Sequence, residues 1–554
     1  MLISNDELKQ LVLRTGLIAE EKINELEQFA KDSSTTLEDM LIERDVISDE
    51  NLGILIADFL KIPFIVLTKT SIPEEVYHIV PEKLARKQKV IAFGRDTNGV
   101  KLAMVDPRNT TVQEMIARKT GSKVATYYAT ERDIYNTLKI YRKDLQKSFE
   151  ELMKDFGKYA EPPVSKIVDM VIDYAYQDRA SDIHIEINET ESLARFRIDG
   201  MLHDMLRMPK HLHDQVIARI KVLSRLRTDE HLSPQDGKMR MRLEEEDLDL
   251  RVSILPIVEG EKVVLRLLAS HFRQFSLVDL GMNEKDLTKV QKAISKSFGM
   301  VLSTGPTGSG KTTSIYSLIK ILNTREKNIT TIEDPVEYRI KGINQIQVNV
   351  KTNLTFASGL RSILRQDPNV VFVGEIRDNE TASIAVNAAL TGHLVLSTLH
   401  TNDAATTLPR LTDMKIEPFL VASTVNVIIA QRLIRKICEM CKVSLQVHKA
   451  ELTRSIPDAL IVKHFGSADV ITVYQGQGCK VCNKTGYMGR VGVFEVLEVT
   501  NTVRKLITEK RDADVIAQAA IAEGMSTMLD DGLNKIAKGV TTLAEVLRVT
   551  KVES

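Results

Sequence analysis

Over the first 62 residues, apolar positions recur at helical spacing, and the whole pattern occurs twice. Leu8, Leu11, Val12, Leu13, Leu17, Ile18, Ile23 and Leu26 return 29 residues later as Leu37, Met40, Leu41, Ile42, Val46, Ile47, Leu52 and Leu55. Each copy predicts a short helix, a turn at Gly16 or Asp45, and a second helix, with Ser48 as N-cap ahead of Glu50 and Asn51. Such spacing suits a small helical bundle over residues 1–62. From 63 to 141 the period shortens. Apolar runs at 64–67, 89–93, 100–105 and 124–128 read as strands between short helices, an α/β module. Residues 142–163 are charged and helical and end in Glu161-Pro162-Pro163, which predicts a linker.

A second α/β module follows over 164–272. A helix is predicted at 164–176, alternating strands at 181–186 and 194–199, a helix at 212–225, and strands near 239–242 and 248–254. The last module, 273–554, has buried strands at 300–303 and within 328–335, 369–378 and 394–401. Each of the last three ends in polar residues: Glu333-Asp334, Glu375 with Arg377-Asp378, and His400-Thr401. In a parallel sheet with crossover helices these ends share the carboxyl edge, where ligands bind. A single carboxylate there would be read first as a helix cap; three strands depositing polar groups at one edge point to a site.

The first of these strands leads into that site. Residues 299–313 run from an apolar strand through Gly305-Pro306-Thr307-Gly308-Ser309-Gly310 into Lys311-Thr312-Thr313 at a helix start. This is a complete phosphate-binding loop in strand–loop–helix context. Its glycines let successive N–H groups point at one anion, and the helix N-terminus adds its dipole. Lys311 supplies a cation for the β- and γ-phosphates, and the Thr312 hydroxyl is placed for Mg²⁺.

Composition narrows the class without changing it. The chain has 554 residues, 43% hydrophobic and 27% charged, with 75 basic and 75 acidic side chains. A balanced charge argues against a general nucleic-acid binder, including a DNA-translocating ring. The N-terminus lacks a signal-peptide pattern, and no apolar run reaches membrane-spanning length. The expectation is a cytoplasmic protein with at most a peripheral membrane role. Arginine is locally dense at Arg225, Arg227, Arg240, Arg242, Arg251 and Arg266, which reads equally as a solvated strand face or as groups reaching bound phosphates. All four cysteines fall in two pairs, Cys438-Glu-Met-Cys441 and Cys479-Lys-Val-Cys482, a zinc pattern whose 37-residue interval predicts a small protruding subdomain at about 436–484.

These motifs together resemble the secretion ATPase superfamily, in its type IV pilus assembly and type II secretion branch. Thr331-Ile-Glu333-Asp334-Pro-Val-Glu337-Tyr resembles that family's Asp box and Gly374-Glu375-Ile-Arg377-Asp378 its Walker B box. Residues 391–402, from Thr391-Gly-His393 to Leu-His400-Thr-Asn402, resemble its His box. Gln431-Arg432-Leu433, the 180–186 run Ala180-Ser-Asp-Ile-His-Ile-Glu, and Arg251-Val-Ser-Ile-Leu-Pro256 also fit. The resemblance implies a RecA-like P-loop core, a PAS-like α/β middle domain, and ATP, Mg²⁺ and Zn²⁺ as cofactors. It implies Glu375 as the group orienting water, Glu333 as a second carboxylate near γ-phosphate and metal, and His393 and His400 as γ-phosphate contacts, with structural donors at the sheet edge as the alternative for the histidines. A homohexamer beside an inner-membrane platform protein is implied too, with Arg240, Arg251 and Arg266 supplying charge across subunits. A nucleotide-gated scaffold with poor turnover is the alternative from another class, and intact carboxylate and histidine boxes argue against it. The N-terminal repeat resembles a module that binds cyclic di-GMP through tandem Arg-Leu-Gly motifs. Here Glu7 and Thr36 stand where the arginines are expected, so no dinucleotide binding is expected.

Overall fold

The computed structural model describes residues 3–16, 18–33, 36–43, 46–141, 144–155, 162–243, 247–269 and 276–550. They form two compact units, residues 62–274 and residues 1–61 with 275–554. The duplicated N-terminal pattern folds as expected into helices Asn5–Arg14, Glu20–Ser33, Leu37–Glu43 and Asp49–Leu60. Ser48 caps the last of these by accepting from the N–H of Asn51 at 3.2 Å. The turn expected at Asp45 lies outside the described residues.

Within 62–274, the first part is a three-stranded sheet of Val90–Asp96, Gly99–Met104 and Val124–Tyr128. The run 64–67 does not form the expected strand. The Asp133 carboxylate accepts from the backbone N–H groups of Leu67 (2.5 Å) and Thr68 (3.0 Å), and the chain coils into a 3₁₀ turn there. The middle module is a six-stranded antiparallel sheet. Its order is Met201–Pro209, Glu191–Ile198, Asp182–Ile187, Gly260–Leu268, Asp247–Ile257, Gln235–Arg242. Burial alternates along the strands. Ile183, Ile185, Phe196, Val252, Ile254, Val263 and Leu265 pack beneath helices Val164–Gln177 and His213–Leu223, while polar residues occupy the other face. This is the helix-backed sheet expected of a PAS-like domain.

Residues 145–155 of the segment expected as a linker are built into this module. Helix Leu145–Asp155 buries Leu145 and Phe149 in the same core. Its Gln146 side chain pairs with the backbone of Arg207 on the outermost strand, accepting from the N–H at 2.9 Å and donating to the carbonyl at 3.4 Å.

The other unit holds a seven-stranded sheet of β1 (Gly299–Thr304), β2 (Ile329–Glu333), β3 (Asn344–Gln347), β4 (Val370–Val373), β5 (Leu394–Leu399), β6 (Val425–Ile437) and β7 (Tyr487–Glu498). Its order is β3-β2-β4-β5-β1-β6-β7, parallel except for β7. β1, β4 and β5 are buried along their whole lengths, which is why they read in the sequence as continuous apolar runs. Helix α1 (Lys311–Leu322) follows β1, and α2 (Asn379–Leu390) follows β4 with Asp378 as its N-cap, accepting from Thr381 N–H at 2.8 Å.

Candidate active site

The loop between β1 and α1 takes the backbone that its glycines permit. Gly305, Gly308 and Gly310 have φ of 144°, 77° and 90°. A Cβ on Gly305 would lie 2.5 Å from the Gln431 carbonyl oxygen. The close approach has a purpose: Gln431 on β6 donates from Nε2 to the Ser309 carbonyl at 2.8 Å, so the neighbouring strand braces the loop. Pro306, Thr307 and Gly308 are exposed, Ser309 is buried, and Gly310, Thr312 and Thr313 are half-buried. Lys311 is folded into the loop, donating to the carbonyls of Gly305 (2.8 Å) and Pro306 (3.1 Å). Burial pulls its ammonium below the ordinary lysine range, and the charge of Glu375 opposes that shift. An anion seated on the loop would take over those donors.

Glu375 follows β4 at the carboxyl edge. One of its oxygens meets Arg377 Nε at 2.6 Å and His400 Nε2 at 3.4 Å, so the Walker B carboxylate and the residue after β5 converge. Thr401 closes the same edge, with its hydroxyl 2.5 Å from that of Thr304 at the end of β1. Asn402 accepts from Arg432 at 3.4 Å, which links the loop after β5 to the strand that braces the phosphate loop.

Two expected residues stand elsewhere. His393 precedes β5, and its carbonyl accepts from Gly299 N–H at the start of β1. β5 runs parallel to β1, so His393 lies at the amino edge, about 20 Å from the loop at ~3.3 Å per residue. Its ring bonds the Ala388 carbonyl at 3.0 Å and ties down the end of α2. His393 is therefore a structural donor at the far edge and not a γ-phosphate contact. Glu333 ends β2 on the expected side but is 2% exposed. It accepts from Tyr316, from Thr331 (2.5 Å) and from Gln345 (3.2 Å). Burial raises its pKa against these three donors. On the same turn Asp334 is exposed and Glu337 half-buried.

The arginines lie in the other unit. Arg240 makes two bonds to Asp249, at 2.7 and 3.1 Å, and Arg266 donates to Asp182 at 3.0 Å. Cross-strand register places Lys238, Arg251, Arg266, Asp182 and Arg197 in one row. Within that row Asp182 is shared by Arg266 at 3.0 Å and Arg197 at 3.7 Å.

Cys438, Cys441, Cys479 and Cys482 converge, with all four sulfurs within 4.8 Å of one another. Three of the pairs are 3.7, 3.8 and 3.9 Å apart. A Zn–S bond of about 2.3 Å in tetrahedral geometry implies edges of about 3.8 Å, so the donor set fits zinc. Backbone N–H groups of Cys479 and Gly486 point at the Cys482 sulfur, at 3.1 and 3.3 Å, as donors to a thiolate do. Between the pairs, strands Lys442–His448 and Val470–Gly476 form a two-stranded antiparallel sheet, and Leu452, Ile456, Ile461 and Ile471 pack into the core shared with the seven-stranded sheet instead of protruding.

Gln431, Arg432 and Tyr316 are the residues whose work was not readable beforehand. The first two lay within a motif with no assigned role, and no signal in the sequence marks Tyr316.

A parallel sheet with a phosphate loop, a strand-end glutamate and polar residues from neighbouring strands defines a P-loop ATPase with a RecA-like core, and ATP hydrolysis is its activity. The chain belongs to the Type II/IV secretion system protein family, whose model matches residues 158–548; residues 60–145 match the MshEN domain. It is 37% identical over 561 aligned residues to the type IV pilus assembly ATPase PilB of Myxococcus xanthus, covering 98% of each chain. It is 44% identical to type II secretion system protein E of Pseudomonas aeruginosa, covering 71% of this chain and 76% of that one. Its fold matches the Legionella pneumophila ATPase DotB with a TM-score of 0.52 at 21% identity, over 71% of this chain and 97% of DotB.

Proposed function

We propose that this ATPase drives type IV pilus assembly as a homohexamer at the inner face of the cytoplasmic membrane, coupled to an inner-membrane platform protein. The observation that carries this reading is co-linearity with the Myxococcus pilus assembly ATPase along 98% of both chains, N-terminal repeat included. Type II secretion is the second reading, favoured by the higher identity over the shorter match. Among the described residues no helix is long and apolar enough to cross a membrane, which is consistent with recruitment through a partner.

In this reading the loop N–H groups and Lys311 hold the β- and γ-phosphates. Thr312 would hold Mg²⁺, which neutralises phosphate charge when bound. Glu375, oriented by Arg377 and His400, aligns the attacking water and accepts its proton. The cationic row through Arg251 and Arg266, with Arg240 beside it, supplies charge to a neighbouring copy's site. Zinc bound by the four cysteines holds the subdomain at the end of β6. The N-terminal helices serve docking, not cyclic di-GMP binding. Glu7 is used in the capping box of the first helix, accepting from Ser4 N–H at 2.7 Å. Thr36 caps the third by accepting from Asp39 N–H at 3.0 Å.

The deciding experiment deletes the gene and restores it with or without Glu375→Gln. Loss of surface pili with protein export intact, rescued only by the native chain, supports pilus assembly. Loss of export with pili retained would replace it by the secretion reading.

A further inference from the structure

Side chains along β7 alternate between the two faces of the sheet. Val491, Val493 and Leu497 enter one apolar core, and Glu495 stands on the same face between them. Glu495 is 8% exposed, and among the described residues no cation pairs with it. A carboxylate in an apolar core without a counter-charge is costly unless other donors compensate it. Backbone groups do so here. The carboxylate accepts from the Ala404 N–H at 2.9 Å, and the Met528 N–H at the start of helix Met528–Ala537 also favours its charged form. Burial raises the Glu495 pKa all the same, and the charge of Asp403 adds to the rise.

Ala404 lies in the loop that follows β5, and both it and Ala405 are buried. The start of that loop carries groups of the site. His400 Nε2 stands 3.4 Å from Glu375. The Thr401 N–H donates to the hydroxyl of Thr304, the residue before Gly305 of the phosphate loop, at 3.0 Å. The loop is also closed on itself. The Thr401 and Thr407 hydroxyls are 2.7 Å apart, and they donate to the Asp403 carbonyl at 3.1 and 3.2 Å. Residues 401–407 are thus tied into one unit, and Glu495 joins that unit to the last strand and the C-terminal helix. We propose that Glu495 is a positioning residue for ATP hydrolysis: through the Ala404 N–H it fixes the loop 400–407 so that His400 reaches Glu375 and Thr401 reaches the start of the phosphate loop. This rests on the reading that Glu375 acts on the attacking water.

The test measures steady-state ATP hydrolysis by the full chain, native and with Glu495→Ala, Glu495→Gln, Glu375→Gln, and Glu495→Ala combined with Glu375→Gln. Thermal melting checks folding, and hydrogen exchange follows residues 400–407. Glu495→Ala is expected to lower kcat about tenfold with KM for ATP within about twofold, because alignment and not binding is lost. Exchange over 400–407 should quicken in the same variant. The amide oxygen of Glu495→Gln can still accept from the backbone donors, so this variant should recover kcat to within about threefold of native. The double variant should be no slower than Glu375→Gln alone, as members of one unit are non-additive. If Glu495→Ala does not fold, Glu495→Asp carries the test: it keeps the charge, withdraws the carboxylate by one methylene, and should lower kcat about threefold. Native kcat in Glu495→Ala beside an inactive Glu375→Gln would overturn this inference alone. So would a lowered kcat with unchanged exchange over 400–407, or a double-variant loss equal to the product of the single losses. Near-native turnover by Glu375→Gln would instead refute the reading of Glu375, and this inference with it.

Discussion

Replacing Glu375 by glutamine is the sharpest perturbation of the proposed chemistry, because the structure isolates what it removes. The amide oxygen can still accept from Arg377 and His400, which stand 2.6 and 3.4 Å from the carboxylate, so the side chain should keep its place. Only charge and basicity are lost. Arg377 is 67% exposed, so its freed charge costs under ~1 kcal/mol and the melting temperature should not move. Removing a general base costs about 10²–10⁴ in rate, which is about 2.7–5.5 kcal/mol of transition-state stabilisation. Lys311, whose charge state Glu375 supports across the site, keeps its loop carbonyls, and ATP affinity should stay within a few-fold or tighten as a nearby negative charge disappears. The assay pairs phosphate release with direct titration of ATP binding. Turnover within about tenfold of native, with binding intact, would refute the assignment.

Four further expectations follow from other parts of the chain. Metal analysis should find one zinc per chain, and Cys441→Ser should release it and destabilise the subdomain before the ATPase core. Arg251→Ala and Lys311→Ala should each abolish turnover, while a mixture of the two recovers part of it if the arginine acts across subunits; no recovery at any ratio would count against that. Glu545 is enclosed by Arg435 and Arg548; burial alone would raise its pKa, but these partners hold it at about 2 against an ordinary 4.5. A depressed carboxyl stabilises the fold above about 4.5 and loses that contribution as pH falls toward 2, so Glu545→Gln should cost up to ~3 kcal/mol at pH 7 and nothing near pH 2, read by chemical denaturation. Calorimetry with the full chain should detect no cyclic di-GMP binding; micromolar affinity would mean contacts other than the missing arginines.

What could be read from the sequence was whatever a short stretch decides alone. The phosphate loop needs only its own glycines and the flanking strand and helix, and the zinc ligands only their spacing. The two histidines of one motif were separable in principle: His393 precedes an apolar strand and His400 follows it, so they had to lie at opposite edges. The burial of Glu333 was not legible because it is made by Tyr316 and Gln345, from elements 17 and 12 residues away. The run 64–67 was likewise decided by Asp133, more than 60 residues on. The supposed linker carried a signal that was passed over, Leu145 and Phe149 at helical spacing within a charged segment.

The Gln146 amide, which reaches from its helix to the outermost strand of the middle sheet, bears on the cell biology of any assembly of this chain. A sheet edge is an invitation to whichever extended backbone arrives first, and a nascent or crowded population of identical chains brings many such edges together. At Arg207 both backbone groups are already bonded by one side chain from within the same molecule. The edge is thus closed at that point before any second chain is met, which disfavours strand-to-strand fibrils and leaves ordered association to surfaces with side-chain specificity. Substituting Gln146 should therefore show first as aggregation during expression, with the turnover of the surviving protein unchanged.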